Sequence, residues 1–524
     1  MSSSATSKNA IALAAVSLSA LMFGLEISSV PVILPTLETL LRGDFNDMQW
    51  IMNAYTIACT TVLMAAGTLA DRYGRRRILL VSLVLFGLTS LICGLAQNAP
   101  VLIVARFLQG LSAGSMLICQ TAVLSHQFRP GPERSKAFAI WGIVFGIGLG
   151  FGPIIGGAIV ALSNWQWVFL AHAPLSLLTV LLALAGIVES RDMQAQRLDV
   201  LGILTLSLSV LGLTYYITQG PELGYASPTG IAIVAATLAA FVAFLIVERI
   251  APHPMFDLSV FKSREFSGAL IGSVGMNFSF WPFMIYLPIY FQGALGYGAV
   301  DTGLALLAYT LPTLFVPPLA ERLALRYRPG LVIPGGLFAI GVGFLLMRYG
   351  SRVEHPGWLS MLPGALIAGI GLGLTNTPVT NTATGAVSSD RAGMASGIDM
   401  SARLITLAIN IALMGFILLA GIASHLRQAL PDAVDAATLR AMAQRIAAGH
   451  MPSAAGASDP SSSAAIEAVG QAALVHGYGW VMLFGGVGVC VLAVLSLLVF
   501  GPVKRADLAT GCTEGCAAGA SVDR

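Results

Sequence analysis

Two ionisable side chains, Glu26 and Arg106, lie inside apolar runs. A charge in hydrocarbon is costly and is read first as functional. Glu26 stands nine residues before Pro35 and is the only acid well inside its run, which puts it about 13 Å from that end of a helix rising 1.5 Å per residue. Arg106 stands six residues past Pro100, about 9 Å in by the same measure. The depths are close enough for the two to meet. Burial favours a neutral carboxyl group and a nearby cation favours the charged one. A carboxylate poised between the two can alternately bind a proton and a cationic or polar compound, with Arg106 tuning its affinity. The same residues also fit a static pair that only stabilises the molecule.

Other polar and aromatic residues inside apolar runs are candidates to line a cavity: Asn53, Tyr55, Gln120, Asn277, Trp281, Tyr286, Arg403 and Asn410. Aromatics beside a buried acid suit bulky organic cations through stacking and cation–π contact. Singly, each fits anchoring at the membrane interface or a hydrogen bond between helices equally well. A third cluster, Gly67-Thr68-Leu69-Ala70-Asp71-Arg72-Tyr73-Gly74-Arg75-Arg76-Arg77, interrupts two apolar runs. Charge this dense must lie outside hydrocarbon, in a tight loop whose arginines hold it on the cytoplasmic side.

The elements that position these residues are membrane helices. Of the 524 residues 56% are apolar and 10% charged, with mean hydropathy +0.82, where a soluble domain carries about 25% charged residues. Windows of about 20 residues mark spans at 11–34, 49–70, 78–96, 100–123, 137–161, 166–187, 199–218, 228–249, 266–292, 302–325, 331–348, 358–380, 396–422 and 476–500, fourteen in all. With the N-terminus inside, the cytoplasmic loops hold Arg72, Arg75, Arg76 and Arg77, then Arg129, Arg134 and Lys136, then Arg191 and Arg197. They go on to hold Lys262 and Arg264, Arg322, Arg326 and Arg328, and Arg391, with Lys504 and Arg505 in the tail. The opposite short loops hold Arg42, Arg348 and Arg352. The bias puts both termini in the cytoplasm. The first run extends past Glu26 to Pro35, too long for the apolar region of a signal peptide, and reads as an uncleaved helix.

Fourteen spans divide as six, two and six. Residues 1–190 form an N-terminal six-helix bundle, 191–262 a two-helix insertion, 263–502 a C-terminal six-helix bundle with a long polar outer loop at about 423–475, and 503–524 a polar tail. The insertion is expected to carry no membrane-embedded charge and to sit at the periphery. An internal echo supports repeated halves: Pro318-Leu319-Ala320-Glu321-Arg322 with Arg326 and Arg328 follows the second helix of the last six, where the arginine loop follows the second helix of the first six. Such repeats mark secondary transporters, with the site between halves at mid-membrane.

With these residues in view, the chain resembles the major facilitator superfamily in its fourteen-span drug:proton antiporter branch, the multidrug resistance protein B type. The loop from Gly67 to Arg77 matches the superfamily's loop signature, Arg106-Phe107-Leu108-Gln109-Gly110 its R-x-x-Q-G signature, and Gly148 to Gly157, with Gly152, Pro153 and Gly156, the G-x-x-x-G-P-x-x-G-G signature of antiporters. Trp165 to Phe169, Leu258 to Phe266, and Tyr290-Phe291-Gln292 with Gly296 and Gly303 resemble features of that branch. The resemblance implies the superfamily's all-α polytopic fold, a cytoplasmic latch in which Asp71 pairs with arginine, and a seal between the halves along the glycine face of the fifth helix, which Pro153 bends. The arginines also fit a role in topology alone. Where this branch usually has an aspartate followed by an asparagine, the chain reads Leu25-Glu26-Ile27-Ser28-Ser29-Val30-Pro31.

No lysine follows a glycine, so no phosphate-binding G-x-x-x-x-G-K-[ST] loop exists and an ion gradient is the expected energy source. The six cysteines give neither a disulfide framework nor zinc spacing, and Cys512 and Cys516 in the tail read as incidental. No cofactor, metal or nucleic-acid partner is expected. The expected partners are protons, the lipid bilayer and a small amphipathic or cationic molecule, moved by proton-coupled efflux through the cell membrane. Export or uptake of one metabolite or antibiotic is the alternative. A membrane-embedded enzyme or a sensor fits poorly: Gly110-Leu111-Ser112-Ala113-Gly114 matches a G-x-S-x-G pattern but sits inside a helix rather than on a strand-to-helix turn.

Overall fold

The computed structural model describes residues 3–128, 132–191, 199–251, 258–387, 392–430, 435–448 and 460–501. Arg129, Arg197, Arg391, Lys504, Arg505, Cys512, Cys516 and the side chain of Asp71 lie outside the described residues. Every element among those described is helical, the form in which a backbone in lipid satisfies its own hydrogen bonds.

The first group of helices is α1 (Ser3–Leu41), α2 (Phe45–Tyr73), α3 (Arg75–Gly94), α4 (Ala99–Gln127), α5 (Pro132–Leu162), α6 (Gln166–Leu170) and α7 (His172–Gly186). Within it α1 packs on α5 and α7, and α4 on α2 and α3. Next come α8 (Val200–Leu223) and α9 (Pro228–Ile250), which lie against each other. The last group is α10 (Arg264–Phe278), α11 (Phe280–Ile289), α12 (Ala299–Thr310), α13 (Pro312–Phe315), α14 (Pro317–Tyr327), α15 (Pro329–Gly350), α16 (Trp358–Gly385), α17 (Ala392–Ala429), α18 (Ala436–Ala447) and α19 (Pro460–Phe500). Here α15 packs on α16 and α19, and α19 also on α10 and α17.

Among the described residues twelve helices are long and apolar enough to cross a membrane, and the pair Ala299–Phe315 and Pro317–Tyr327, bent by 47°, makes a thirteenth if it is one span. The remaining expected span falls on α2, whose first turns carry Asn46, Asp47, Gln49 and Asn53.

Local chemistry sets the turns. Asp44 caps α2, accepting from the Asp47 N–H at 2.8 Å while Asp47 accepts from the Asp44 N–H at 3.1 Å. Asn98 caps α4 by accepting from the Val101 N–H at 3.0 Å. At the arginine loop Gly74 breaks α2 from α3 at φ 115°, and Arg328 breaks α14 from α15 at φ 75°. A left-handed break thus recurs where the sequence echo places the second copy of the loop.

One apolar core runs through the last group and takes in the first group from Val30 to Met52, with Cys93, Leu102, Trp165 and Phe169. A second core, from Ala12 and Phe23 through Leu63, Ala70 and Leu83 to Val123 and Ile187, belongs to the first group and receives Met400 and Leu404 from α17. The two groups therefore share their main core at the end away from the arginine loop.

Two expectations change. The stretch about 423–475 is in good part helical: α17 runs on to Ala429, and α18 buries Leu439, Ala443, Ile446 and Ala447 in the shared core, because a residue spacing of three to four gives a polar-looking segment one apolar face. The inserted pair carries a buried charged residue after all. Glu248 in the last turn of α9 is buried beside Gly202 and Asp199 of the α8 start, a position at the helix end where polar groups from both helices meet.

Candidate functional site

The fold brings Glu26 and Arg106 together. The α4 helix reaches α2 closely at Gly110, where a Cβ would lie 2.9 Å from the Tyr55 Cα, and this slides Arg106 beneath the Tyr55 ring with its guanidinium carbon 4.2 Å from the ring centroid. Arg106 Nη1 donates to Glu26 Oε1 and, at 2.7 Å, to Gln109 Oε1, and its Nε donates to the Ile51 carbonyl at 3.1 Å. Gln109 in turn donates to Ser90 Oγ at 2.9 Å. Both members of the ion pair are fully buried. An ion pair taken out of water holds only when further interactions satisfy it, and here the Ile51 carbonyl and Gln109 accept hydrogen bonds from Arg106 while the Tyr55 ring face lies against its guanidinium. Glu26 Oε2 and Arg106 Nη2 have no hydrogen-bond partner.

A third ionisable group stands beside them that sequence reasoning passed over. His172, the first residue of α7 and buried, places Nδ1 3.5 Å from Glu26 Oε2 and 3.0 Å from the Val168 carbonyl. It lies within the expected span 166–187, so the rule that singles out Glu26 would also have found it.

The other candidates fall into separate places. Gln120 donates to Ser19 Oγ at 2.6 Å and accepts from Trp141 Nε1 at 2.9 Å, toward the arginine-loop end. Asn53 is buried, and its amide has no hydrogen-bond partner. Arg403 pairs with Asp399 one turn earlier on α17 at 3.0 Å and donates to Asn376 at 2.6 Å and Thr380 at 2.9 Å on α16. Asp399 accepts from Ser273 Oγ, and Asn277 donates to the Ser273 carbonyl at 3.0 Å, so Asn277 and Arg403 belong to one cluster. Asp399, fully buried within the expected span 396–422, carries the same signal as Glu26 and was missed. Asn410 donates to the Thr406 carbonyl of its own helix at 2.9 Å. Tyr286 is buried in the shared core, its hydroxyl donating to the Ile411 carbonyl and its own carbonyl accepting from Tyr478. Trp281 lies partly buried against that core.

At the arginine loop a carboxylate from elsewhere completes the site. Glu189, just past α7, accepts from the N–H of Arg76 at 3.1 Å and of Arg77 at 3.2 Å, and its Oε2 lies 3.7 Å from Arg77 Nε. The first turn of a helix offers unpaired N–H groups and a partial positive charge, so an anion is stabilising there. The Arg75 N–H also donates to the Ser190 carbonyl at 2.9 Å. Arg76 Nη2 reaches the Leu184 carbonyl at 2.6 Å, Arg72 lies near the Tyr73 ring, and Gly67 faces Ile118.

The glycine signature of α5 presents two faces. Gly148, Gly152 and Gly156 face α1: a Cβ on Gly148 would lie 2.8 Å from the Leu21 carbonyl, one on Gly156 2.9 Å from Ser29, and Gly152 abuts Ser28. Contact with the last group comes instead from Gly157, against Ala299, and from Pro153, whose carbonyl lies where a Cβ on Gly303 would be 2.7 Å away. Thr310 adds a hydrogen bond to the Gly150 carbonyl at 2.9 Å, and Gln292 one to the Val32 carbonyl at 3.0 Å. Sequence spacing shows that this helix has bare faces but not which neighbour meets each.

The family model for the Major Facilitator Superfamily matches residues 16–411. The Multidrug resistance protein Stp of Mycobacterium tuberculosis is 32% identical over 81% of this chain and 79% of its own. The Tetracenomycin C resistance and export protein of Streptomyces glaucescens is 30% identical over 83% and 80%. Among solved structures, a POT family transporter in complex with 5-aminolevulinic acid superposes with a TM-score of 0.62 over 94% of this chain and 96% of that one, at 15% identity, a likeness of fold alone.

Proposed function

The chain belongs to the major facilitator superfamily of membrane transporters, and on that footing we propose that it is a secondary active exporter of the cell membrane, exchanging protons for drugs or other small amphipathic or cationic compounds. It is a multi-pass membrane protein and a transporter, not an enzyme. In this reading it has fourteen spans, divided near 190 and 262 into two bundles and an inserted pair, with both termini in the cytoplasm.

The observation that carries the proposal is the sealed Glu26–Arg106 pair with its one unpartnered carboxylate oxygen. A proton arriving at Oε2 neutralises Glu26 and loosens its hold on Arg106. Loss of that proton restores the pair. A charge change inside a dry core biases how the surrounding helices pack, and an electrochemical gradient worth about 2.3 kcal/mol per charge per 100 mV can drive it. With the arginine loop taken as cytoplasmic, the core shared at the far end is the closed outer gate of an inward-facing conformer. The Asp399–Arg403 cluster with Asn277 then stands where a cytoplasmic compound enters, and Gly157, Pro153 and Gly303 form part of the outer seal.

The name of the tetracenomycin relative favours one second reading, a dedicated exporter of a single antibiotic. Inside-out vesicles with an imposed pH gradient separate the two. Broad efflux predicts that several cationic compounds collapse the gradient with wild type and not with Glu26→Gln. A response to one compound alone supports the dedicated exporter, and persistence of the response in the variant moves the proton site away from Glu26.

A further inference from the structure

We infer that the coupling proton is held jointly by Glu26 and His172, with Arg106 as a fixed countercharge. For its place in transport this rests on the proton-coupled reading above. The Val168 carbonyl can only accept, so the His172 Nδ1 that lies 3.0 Å from it carries a hydrogen. Neutral His172 therefore has its lone pair on Nε2, and that nitrogen is buried without a partner. On the other side Glu26 has Oε1 taken by Arg106 and Oε2 free, 3.5 Å from the imidazole. One added proton thus has two seats in the same cluster, the carboxylate Oε2 and the imidazole Nε2, linked through the imidazole ring whose Nδ1 is the atom that faces Oε2.

Charge counting makes the two equivalent in sum. Glu26 and Arg106 cancel while His172 is neutral, and one added proton leaves a single positive charge in the cluster wherever it sits. On Nε2 it makes an imidazolium that lies against the carboxylate. On Oε2 it breaks the pair with Arg106. Among the described residues the remaining titratable groups around the cluster are Tyr55 and Cys59 on α2 and Cys93 on α3, whose ordinary titrations lie above neutral pH, while that of histidine lies within the physiological range. The Phe86 ring edge, 5.6 Å between centroids, closes the imidazole off on the α3 side. Groups this close titrate as a pair, so each one's midpoint depends on the other.

The test is a pH titration of the full-length protein in nanodiscs with nitrogen-15 histidine, following imidazole nitrogen shifts by NMR from pH 5 to 9. The resonance absent from His172→Asn is that of His172, and the asparagine amide keeps an N–H for the Val168 carbonyl. If that variant does not fold, His172→Gln makes the assignment. The expected result is that His172 titrates in this range and that its midpoint moves by about one unit or more in Glu26→Gln. A His172 that stays neutral throughout, or titrates identically in both proteins, overturns the inference. Loss of proton-gradient collapse in wild-type vesicles beside a coupled titration would instead strike the transport reading and leave the shared proton standing.

Discussion

Among the described residues Glu26–Arg106 in the first helical group and Asp399–Arg403 in the last are carboxylate–arginine pairs with a fully buried carboxylate, and the two are built differently. Glu26 and Arg106 come from separate helices, α1 and α4, are both fully buried, and are braced by Gln109 on α4, the Ile51 carbonyl and the Tyr55 face on α2. Asp399 and Arg403 lie one turn apart on α17, and Arg403 keeps 11% of its side chain exposed while leaning on Asn376 and Thr380 of α16. A pair spanning helices in a dry core couples its charge state to helix packing. A pair within one helix, with its cation at the edge of the core, changes the polarity of a surface without having to move the helix that carries it. The first arrangement suits proton coupling and the second suits contact with a polar or charged compound.

The sharpest way to break this contrast is to remove each arginine. Arg106→Ala removes the fixed countercharge of a fully buried carboxylate, at a cost of about 3–5 kcal/mol. The expected outcome is a large drop in the thermal midpoint in detergent, or failure to accumulate. Arg403→Ala leaves Asp399 its hydrogen bond from Ser273, and the expected loss is about 1–2 kcal/mol. Equal losses would mean that the two pairs are equally sealed. A smaller effect sharpens the picture of the first pair. Tyr55→Leu removes the ring over Arg106 and is expected to cost about 0.5–2 kcal/mol in the same melting measurement, while Tyr55→Phe, which keeps a ring face, stays within about 0.5 kcal/mol of wild type.

What the sequence made legible follows dimensionality. A charge inside an apolar run is visible along the chain, so Glu26 and Arg106 stand out, and comparable depths suffice to pair them. Asp399 and His172 show the same one-dimensional signal inside expected spans and went unread beside more prominent motifs. Glu189 is different: its role exists only because the chain returns more than a hundred residues later to the first turn of α3, and nothing in its neighbours announces that. The direction of the α5 glycines was likewise hidden, since a bare helix face does not name its neighbour. The apolar face of α18 is diluted by the Ala- and Ser-rich loop around it. The polar first turns of α2 blur the count of spans, because a helix sheltered by α4 and α17 can carry Asn46, Gln49 and Asn53 without facing lipid.

The most direct test of the division of labour is to compare Glu26→Gln and Asp399→Asn in proteoliposomes loaded with labelled tetraphenylphosphonium, measuring both transport driven by a pH gradient and exchange of labelled for unlabelled compound without a gradient. The account predicts that Glu26→Gln loses gradient-driven transport and retains exchange, whereas Asp399→Asn keeps its response to the gradient and loses apparent affinity in both modes. Gradient-driven transport that survives in Glu26→Gln and disappears in Asp399→Asn would contradict it.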